Sequence, residues 1–290
     1  MSRPRAIACP DSLKAVLPAR EAAAALARGF GDAGVDCAQL PLADGGEGTA
    51  DALAGRLGDA AVVEAAQHIP FDPAARDVGA ASSRPLGEAI AQVRAPRLVV
   101  GLGGTANMDG GAGLLEVLHA LPAPTLVLCD VETTLYDAPR TFGPQKGATP
   151  AQAAELEMRF RADERLAPYA QLSGSGAAGG LGAALASLGA ELVPGAASIL
   201  DLLGFEPAAY DLVVTGEGRV DVTSSAGKVT GEVARRCAAA GVRCVVFGGL
   251  VDAGVVGAET VALSGDPSCA VEDIVALGRR LGLRLLDATR

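Results

Sequence analysis

Tryptophan is missing, aromatic residues make up 3% of the chain, and only two histidines occur, His68 and His119. A core with so few rings has to be filled by Ala, Leu and Val, within a hydrophobic fraction of 50% over 290 residues. That fraction excludes an intrinsically disordered chain. Two isolated histidines give zinc chemistry or a Ser-His-Asp relay little to build on. Six cysteines (Cys9, Cys37, Cys129, Cys237, Cys244 and Cys269) are scattered without CxxC spacing, so they read as small buried hydrophobes in a reducing compartment. Long hydrophobic runs are lacking too, because Gly, Asp or Arg interrupts every apolar stretch. The apolar residues after Met1-Ser2-Arg3-Pro4-Arg5 are too few for a signal sequence. The expectation is a cytoplasmic protein with neither membrane span nor secretory leader.

Positive charge is also scarce. A formal net charge of −10 argues against nucleic acid as the main partner, since phosphate backbones need clustered Lys and Arg. Of the 24 basic residues only Lys14, Lys146 and Lys228 are lysines. Arg serves elsewhere, so a retained Lys marks a place that needs a compact ammonium. Each lies among Asp, Ser, Gly or Gln: Pro10-Asp11-Ser12-Leu13-Lys14, Gly143-Pro144-Gln145-Lys146-Gly147 and Ser224-Ser225-Ala226-Gly227-Lys228. Nothing in the sequence sets an oligomeric state.

At about 150 residues per domain, the length suggests two domains. Short β-branched runs alternate with Ala/Leu-rich helical periods. Strand 5–9, helix 18–33 and strand 35–40 make a β-α-β opening, which implies a parallel sheet. The rhythm returns at strand 98–101, helix 110–120 and strand 125–129. It returns again at strand 212–215, helix 229–240, strand 243–247, strand 261–263 and helix 271–286. Between these, Pro and Arg accumulate over 69–85, and 133–150 reads as a long polar loop of the kind that carries function. The expected fold is α/β, a three-layer doubly wound parallel-sheet domain (1–60 and 200–290) with a second, smaller α/β domain (61–199) inserted. No internal repeat is evident.

Five Gly-rich or acid-rich loops fall where strands should hand over to helices, the usual ligand position in open α/β sheets. They are Cys9-Pro10-Asp11-Ser12-Leu13-Lys14, Leu42-Ala43-Asp44-Gly45-Gly46-Glu47-Gly48-Thr49, the stretch 101–111 around Gly103-Gly104-Thr105 and Asp109, the stretch 174–180, and Thr215-Gly216-Glu217-Gly218-Arg219-Val220-Asp221. Glycine permits close backbone approach, free amides at a helix start favour an anion, and neighbouring carboxylates suit a divalent cation. Together these are the parts of a phosphoryl-transfer site. Plainer readings stand beside this one: Asp44 and Glu47 as helix caps, Asp221 as a turn residue, and 174–180 as a tightly packed helix start.

A competing reading comes from Gly101-x-Gly103-x-x-Ala106, a relaxed dinucleotide fingerprint, with Asp130 ending the next strand as a ribose acid would. It would make the chain an NAD-dependent 2-hydroxy acid dehydrogenase. Against it, Asp130 lies beyond the usual spacing and Asp109 would crowd the pyrophosphate with negative charge. No GxxxxGK[ST] occurs, since Lys228 is followed by Val229, so a P-loop ATPase is excluded.

In their order along the chain these motifs resemble the bacterial glycerate kinase family. The family's PDS-x-K stands at Pro10 to Lys14, its P-x-ADGGEGT at Pro41 to Thr49, and its GGSATNDGGAG-like loop at 103–113. CDV follows at Cys129-Asp130-Val131, FGPQKGA at Phe142 to Ala148, a GAGAAGG-LGAAL-like stretch from Gly174, and TGEGR-x-D at Thr215 to Asp221. Departures fall at Asn107-Met108, where the family has Thr-Asn, at Thr133-Thr134 for Asn-Pro, and at Thr223 for Gln. The chain is also shorter than usual for the family, with losses before about Val62 and around 122–124, in the inserted domain.

The resemblance implies ATP-dependent, Mg²⁺-assisted phosphorylation of D-glycerate, with 2-phosphoglycerate the favoured product and a site in a cleft between the two domains. Lys14, Asp44 and Asp221 are the expected catalytic residues. Asp11, Ser12, Lys14, Arg219 and Lys228 are expected at the substrate, Gly103, Gly104, Thr105, Asp109 and Lys146 at the nucleotide, and Asp44 with Glu47 at the metal. A non-catalytic homologue that binds nucleotide or hydroxy acid is the remaining alternative.

Overall fold

The structure, a computed structural model, describes residues 3–225 and 227–288. Met1, Ser2, Ala226, Thr289 and Arg290 lie outside the described residues, as do the side chains of Thr223 and Ser225. The chain forms two compact units, Met1–Ala43 with Leu200–Arg290, and Asp44–Ile199. Its elements in order are β1 (Arg5–Ala8), α1 (Ala19–Asp32), β2 (Asp36–Gln39), α2 (Thr49–Leu53), β3 (Ala61–Glu64), α3 (Ala65–His68), α4 (Arg84–Ala91), β4 (Leu98–Gly101), α5 (Ala112–Val117), β5 (Thr125–Cys129), α6 (Ala138–Phe142), α7 (Pro150–Ala162), α8 (Ala177–Ser187), β6 (Glu191–Pro194), α9 (Gly195–Leu202), β7 (Leu212–Val220), α10 (Val229–Ala240), β8 (Arg243–Val251), β9 (Glu259–Ala262) and α11 (Ala270–Ala288).

In the first unit five strands pair in the order β2-β1-β7-β8-β9, every pair parallel. Alternate side chains, Ala6 and Ala8, Leu212 and Val214, Val245 and Phe247, join one core with Leu26 and Phe30 of α1 and Ile274, Leu277 and Leu281 of α11. Strand residues of the other parity face the opposite side, where α10 packs on β7 and β8. Both faces are covered, as an all-parallel sheet requires. The two helices on the first face come unusually close. A Cβ on Gly29 of α1 would lie 2.1 Å from the Val275 carbonyl oxygen, and one on Gly278 of α11 2.5 Å from that of Leu26. Only glycine fits there.

The second unit carries a smaller sheet, β3-β4-β5-β6, again wholly parallel. Leu98, Val100, Val127 and Cys129 pack against Leu86 and Ile90 of α4, Leu114 of α5, and Leu181 and Leu185 of α8. A separate cluster gathers Met108, Leu135, Leu156 and Phe160 beneath α7. Thr149 opens α7 with a capping box, its hydroxyl accepting from the Gln152 amide while the Gln152 side chain accepts from the Thr149 amide.

The structure departs from the sequence reading in the middle of the chain. Two short strands, β3 and β6, and the helices α4, α7 and α9 were not expected. The stretch 133–150 holds α6 and a 3₁₀ turn, Pro144–Lys146, in place of an extended loop. The first break between units falls at Ala43/Asp44, not at 60/61. The cause is Glu64 at the end of β3. Its buried carboxylate accepts from the Gly48 and Ala50 amides at 3.2 and 3.1 Å, which ties α2 to the second sheet. All six cysteines are free, four of them buried, and burial pushes the Cys37 and Cys129 thiols up to about 12. Among the described residues no helix is long and apolar enough to cross a membrane.

Candidate active site

In the first unit, two loops leave neighbouring parallel strands side by side. The chain after β1 is pinned to β7 by Cys9 N–H on the Val214 carbonyl, Asp11 N–H on the Gly216 carbonyl, and the Thr215 hydroxyl on the Cys9 carbonyl, each at 2.8 Å. Asp11 then accepts from the Ser12 amide at 2.6 Å. Leu13 and Leu17 exchange both backbone hydrogen bonds, at 2.8 and 2.9 Å, and so tie off a loop of Lys14, Ala15 and Val16. Ala15 takes a left-handed conformation with φ of 60° to close it. Lys14 stands exposed on that loop. Behind it lies Gly218, whose missing Cβ would sit 3.3 Å from the Lys14 amide nitrogen.

Beyond β7 the remaining candidates are already partnered. Lys228 contacts Glu217 at 3.3 Å, and the Thr230 hydroxyl donates to the other oxygen of the same carboxylate at 2.5 Å. Glu217 is buried, 8% exposed. The sequence carries a signal for it beyond its motif: a carboxylate directly after the apolar run Leu212-Val213-Val214-Thr215-Gly216 is a buried charge, which needs a partner. Arg219 pairs with Asp252 on the surface at 2.6 Å. Asp221 opens a 3₁₀ turn, its amide donating to the Ser224 hydroxyl at 3.0 Å.

The second unit builds its loops from backbone against backbone. Asp44 closes a turn by accepting from the Gly46 amide at 3.1 Å, and Gly103 N–H donates to the Gly45 carbonyl at 3.0 Å. A Cβ on Gly101 would lie 2.7 Å from the Gly45 oxygen, and one on Gly103 2.5 Å from the Gly46 Cα. The glycines of the dinucleotide fingerprint thus serve loop packing, which removes the main support for the dehydrogenase reading. The amides that start α2 take Glu64 as their cap, so Asp44 and Glu47 do not fill the capping role considered for them; Glu47 is exposed.

Asp109, expected beside the nucleotide, instead organises its own loop. One oxygen accepts from Asn107 Nδ2 and the Gly111 amide; the other accepts from the amides of Ser83 and Gly113 and the Ser83 hydroxyl. Five donors use up a carboxylate's acceptor capacity. The stretch 174–180 locks into the same loop: Asn107 Nδ2 donates to the Ala178 carbonyl at 2.9 Å and Gly110 N–H to the Gly179 carbonyl at 3.0 Å. Ala178, Gly179 and Gly180 are all left-handed, with φ of 50°, 64° and 96°. The packed-helix-start reading fits this segment.

Lys146 is 5% exposed, and its Nζ donates to the Asn107 carbonyl at 2.8 Å. Burial pushes its ammonium down to about 8, against the opposing pull of Asp130 and Asp109. It lines a cavity of about 90 Å³ with Gly104, Thr105 and Asp130. The Thr105 hydroxyl there is buried and has no hydrogen-bond partner.

Comparison with known proteins agrees with the motif order. A model of the glycerate kinase family matches residues 6–67, 54–123 and 121–266. The chain is 34% identical to glycerate 2-kinase of Escherichia coli over 77% of its own length and 79% of that protein's. It is 32% identical to a glycerate kinase of Bacillus subtilis, covering 79% and 80%. A crystal structure assigned to glycerate kinase 2 of Salmonella typhimurium superimposes with a TM-score of 0.81 at 28% identity, over 99% of this chain and 100% of that one.

Proposed function

The chain belongs to the glycerate kinase family, and we propose that it transfers the terminal phosphoryl group of ATP to the 2-hydroxyl of D-glycerate with the help of Mg²⁺. One observation carries the reading. In each unit the candidate residues lie at or just beyond the carboxyl ends of parallel strands: Asp11, Ser12 and Lys14 after β1, Asp44 and Glu47 after β2, Gly103 to Thr105 after β4, Arg219 in the last residues of β7, and Asp221 and Lys228 after it. That is where open α/β sheets bind ligands.

In this reading the exposed Lys14 meets either the transferred phosphoryl or the substrate carboxylate, and Asp11 and Ser12 hold hydroxyls. Asp44 takes the proton of the attacking hydroxyl, with Asp221 as the second carboxylate of the reaction. The Gly104 amide, the Thr105 hydroxyl and Lys146 face the second anionic group, the Gly103 amide being held by the Gly45 carbonyl, and Arg219 and Lys228 balance charge around the substrate. Such fixed donors stabilise a transition state because they need no reorganisation as charge develops.

Among the described residues no group of three or more His, Cys, Asp or Glu side chains is placed to hold a metal ion. The donor set suits Mg²⁺ of another kind, the ion that takes one or two carboxylates and completes its shell with phosphate oxygens and water. Asp44 and Glu47 on one turn would hold it, and it would neutralise phosphate charge. The decisive experiment is a coupled ADP-release assay with D-glycerate, ATP and Mg²⁺, the product's phosphate position being read by NMR. ADP formation that depends on D-glycerate, with phosphate on the 2-oxygen, is the expected result. Binding without turnover, or an absorbance change with NAD(H) and no ATP use, overturns the reading.

A further inference from the structure

The cavity beside Lys146 is too small for a nucleotide. At about 90 Å³ it falls well below the ~300 Å³ at which pockets begin to enclose larger ligands, yet it exceeds the ~30 Å³ share of one water molecule. It admits one phosphate group or one three-carbon acid.

Three features decide between these. First, the cavity is built to receive something: Thr105 is 4% exposed, and its hydroxyl is buried without a partner, a state that a folded protein avoids unless a ligand or water completes it. Second, the charge count suits a monoanion. One basic residue, Lys146, and one acidic residue, Asp130, line the space. A phosphate dianion there would be repelled by that carboxylate, whereas a hydroxyl would be attracted, because a carboxylate accepts several hydrogen bonds at once. Third, much of the remaining wall is apolar, with Phe71, Leu102 and Phe142 among the lining residues. Carbon atoms fit against such a wall and phosphate oxygens do not.

We propose that this cavity holds the hydroxy acid, with its carboxylate on Lys146 and Thr105, its carbon chain against Phe71, Leu102 and Phe142, and a hydroxyl on Asp130. The inference rests on the kinase reading and moves Thr105 and Lys146 from the nucleotide to the acceptor. Lys14 is then left to the transferred phosphoryl.

Thr105→Val tests it with little risk to folding, because the two side chains have nearly the same shape and only the unpartnered hydroxyl is lost. The expected result is a rise of about tenfold or more in KM for D-glycerate, the usual effect of removing one hydrogen bond to a charged group, with KM for ATP within about twofold of the parent. Asp130→Asn should raise the same KM and also leave that for ATP unchanged. A rise confined to the KM for ATP overturns the assignment while leaving the kinase reading intact. Calorimetric titration of the nucleotide-free protein with D-glycerate supplies a readout independent of turnover. Binding by the parent that weakens in Thr105→Val supports the site, and equal binding by both proteins overturns it even if no ADP is ever released.

Discussion

The two units hold their lysines in opposite ways. Lys14 is exposed on a three-residue loop tied off by Leu13 and Leu17, and Lys228 is half-buried against Glu217. Lys146 is buried, with its ammonium on a backbone carbonyl and its stem inside the second unit. An exposed cation is kept in water by folding, so it can be removed with little change in stability. A buried one is part of the fold. Catalytic and structural effects should therefore separate cleanly at Lys14 and mix at Lys146.

The largest effect is expected where the second unit has no spare room. Gly179 has a φ of 64°, and a Cβ there would lie 2.2 Å from the Asn107 carbonyl oxygen. Gly179→Ala should lower the stability of this unit by about 4 kcal/mol or more, read from urea denaturation, because backbone strain and overlap act together. A loss below about 1 kcal/mol would show that the two loops are not locked.

Next in size is the pH response of Lys146. Its ammonium loses protons near pH 8 in the folded chain and near the ordinary lysine value in the unfolded one. Between those values the unfolded chain binds more protons, so stability rises as pH rises through the window, and the full penalty is present below pH 8. The gain is on the order of 3 kcal/mol. Urea midpoints from pH 7 to 10 should climb in the parent relative to Lys146→Met; parallel profiles would mean that the ammonium is not buried in solution.

Lys14→Ala should change the urea midpoint least. Its effect belongs to turnover, which should fall by on the order of a hundredfold, as for other groups placed where transition-state charge develops. Near-normal turnover would remove Lys14 from the site and with it the contrast between the units.

The sequence made the first unit far more legible than the second. Its strands stand out as β-branched runs, Leu212-Val213-Val214 and Cys244-Val245-Val246, and its helices carry a clear apolar stripe such as Ala22, Ala25, Leu26, Gly29 and Phe30. β3 and β6 were not visible, because four residues give too little pattern and each runs directly into a helix, β6 through Pro194. The polar texture of 133–150 concealed a short helix, α6, that packs on α7 and α8 with Ala138 buried, and a buried Leu135 just before it. Among site residues, the glycine-rich motifs at 9–14, 42–49 and 101–111 could be placed at strand ends from spacing alone, whereas 174–180 leads into α8 without a strand before it and 215–220 lies inside β7. What spacing does not encode is which carboxylate turns inward. Asp109 stands in the same kind of loop as Asp44, yet one accepts five hydrogen bonds from its surroundings and the other closes a single turn. Glu64 gave no signal at all, since it is the last residue of a strand of only four, Ala61–Glu64.

The interlock between the loops around Asn107 and Ala178 also sets an order of assembly. The two residues are 71 apart in sequence, and the left-handed run at 178–180 has no local reason to form by itself. During synthesis the loop carrying Thr105 leaves the ribosome long before the segment that fixes it. Until that segment arrives, the carbonyl that will receive Lys146 has no set position. The cavity should therefore appear late and all at once, so the amide hydrogens on both sides of it should exchange with solvent at one common rate.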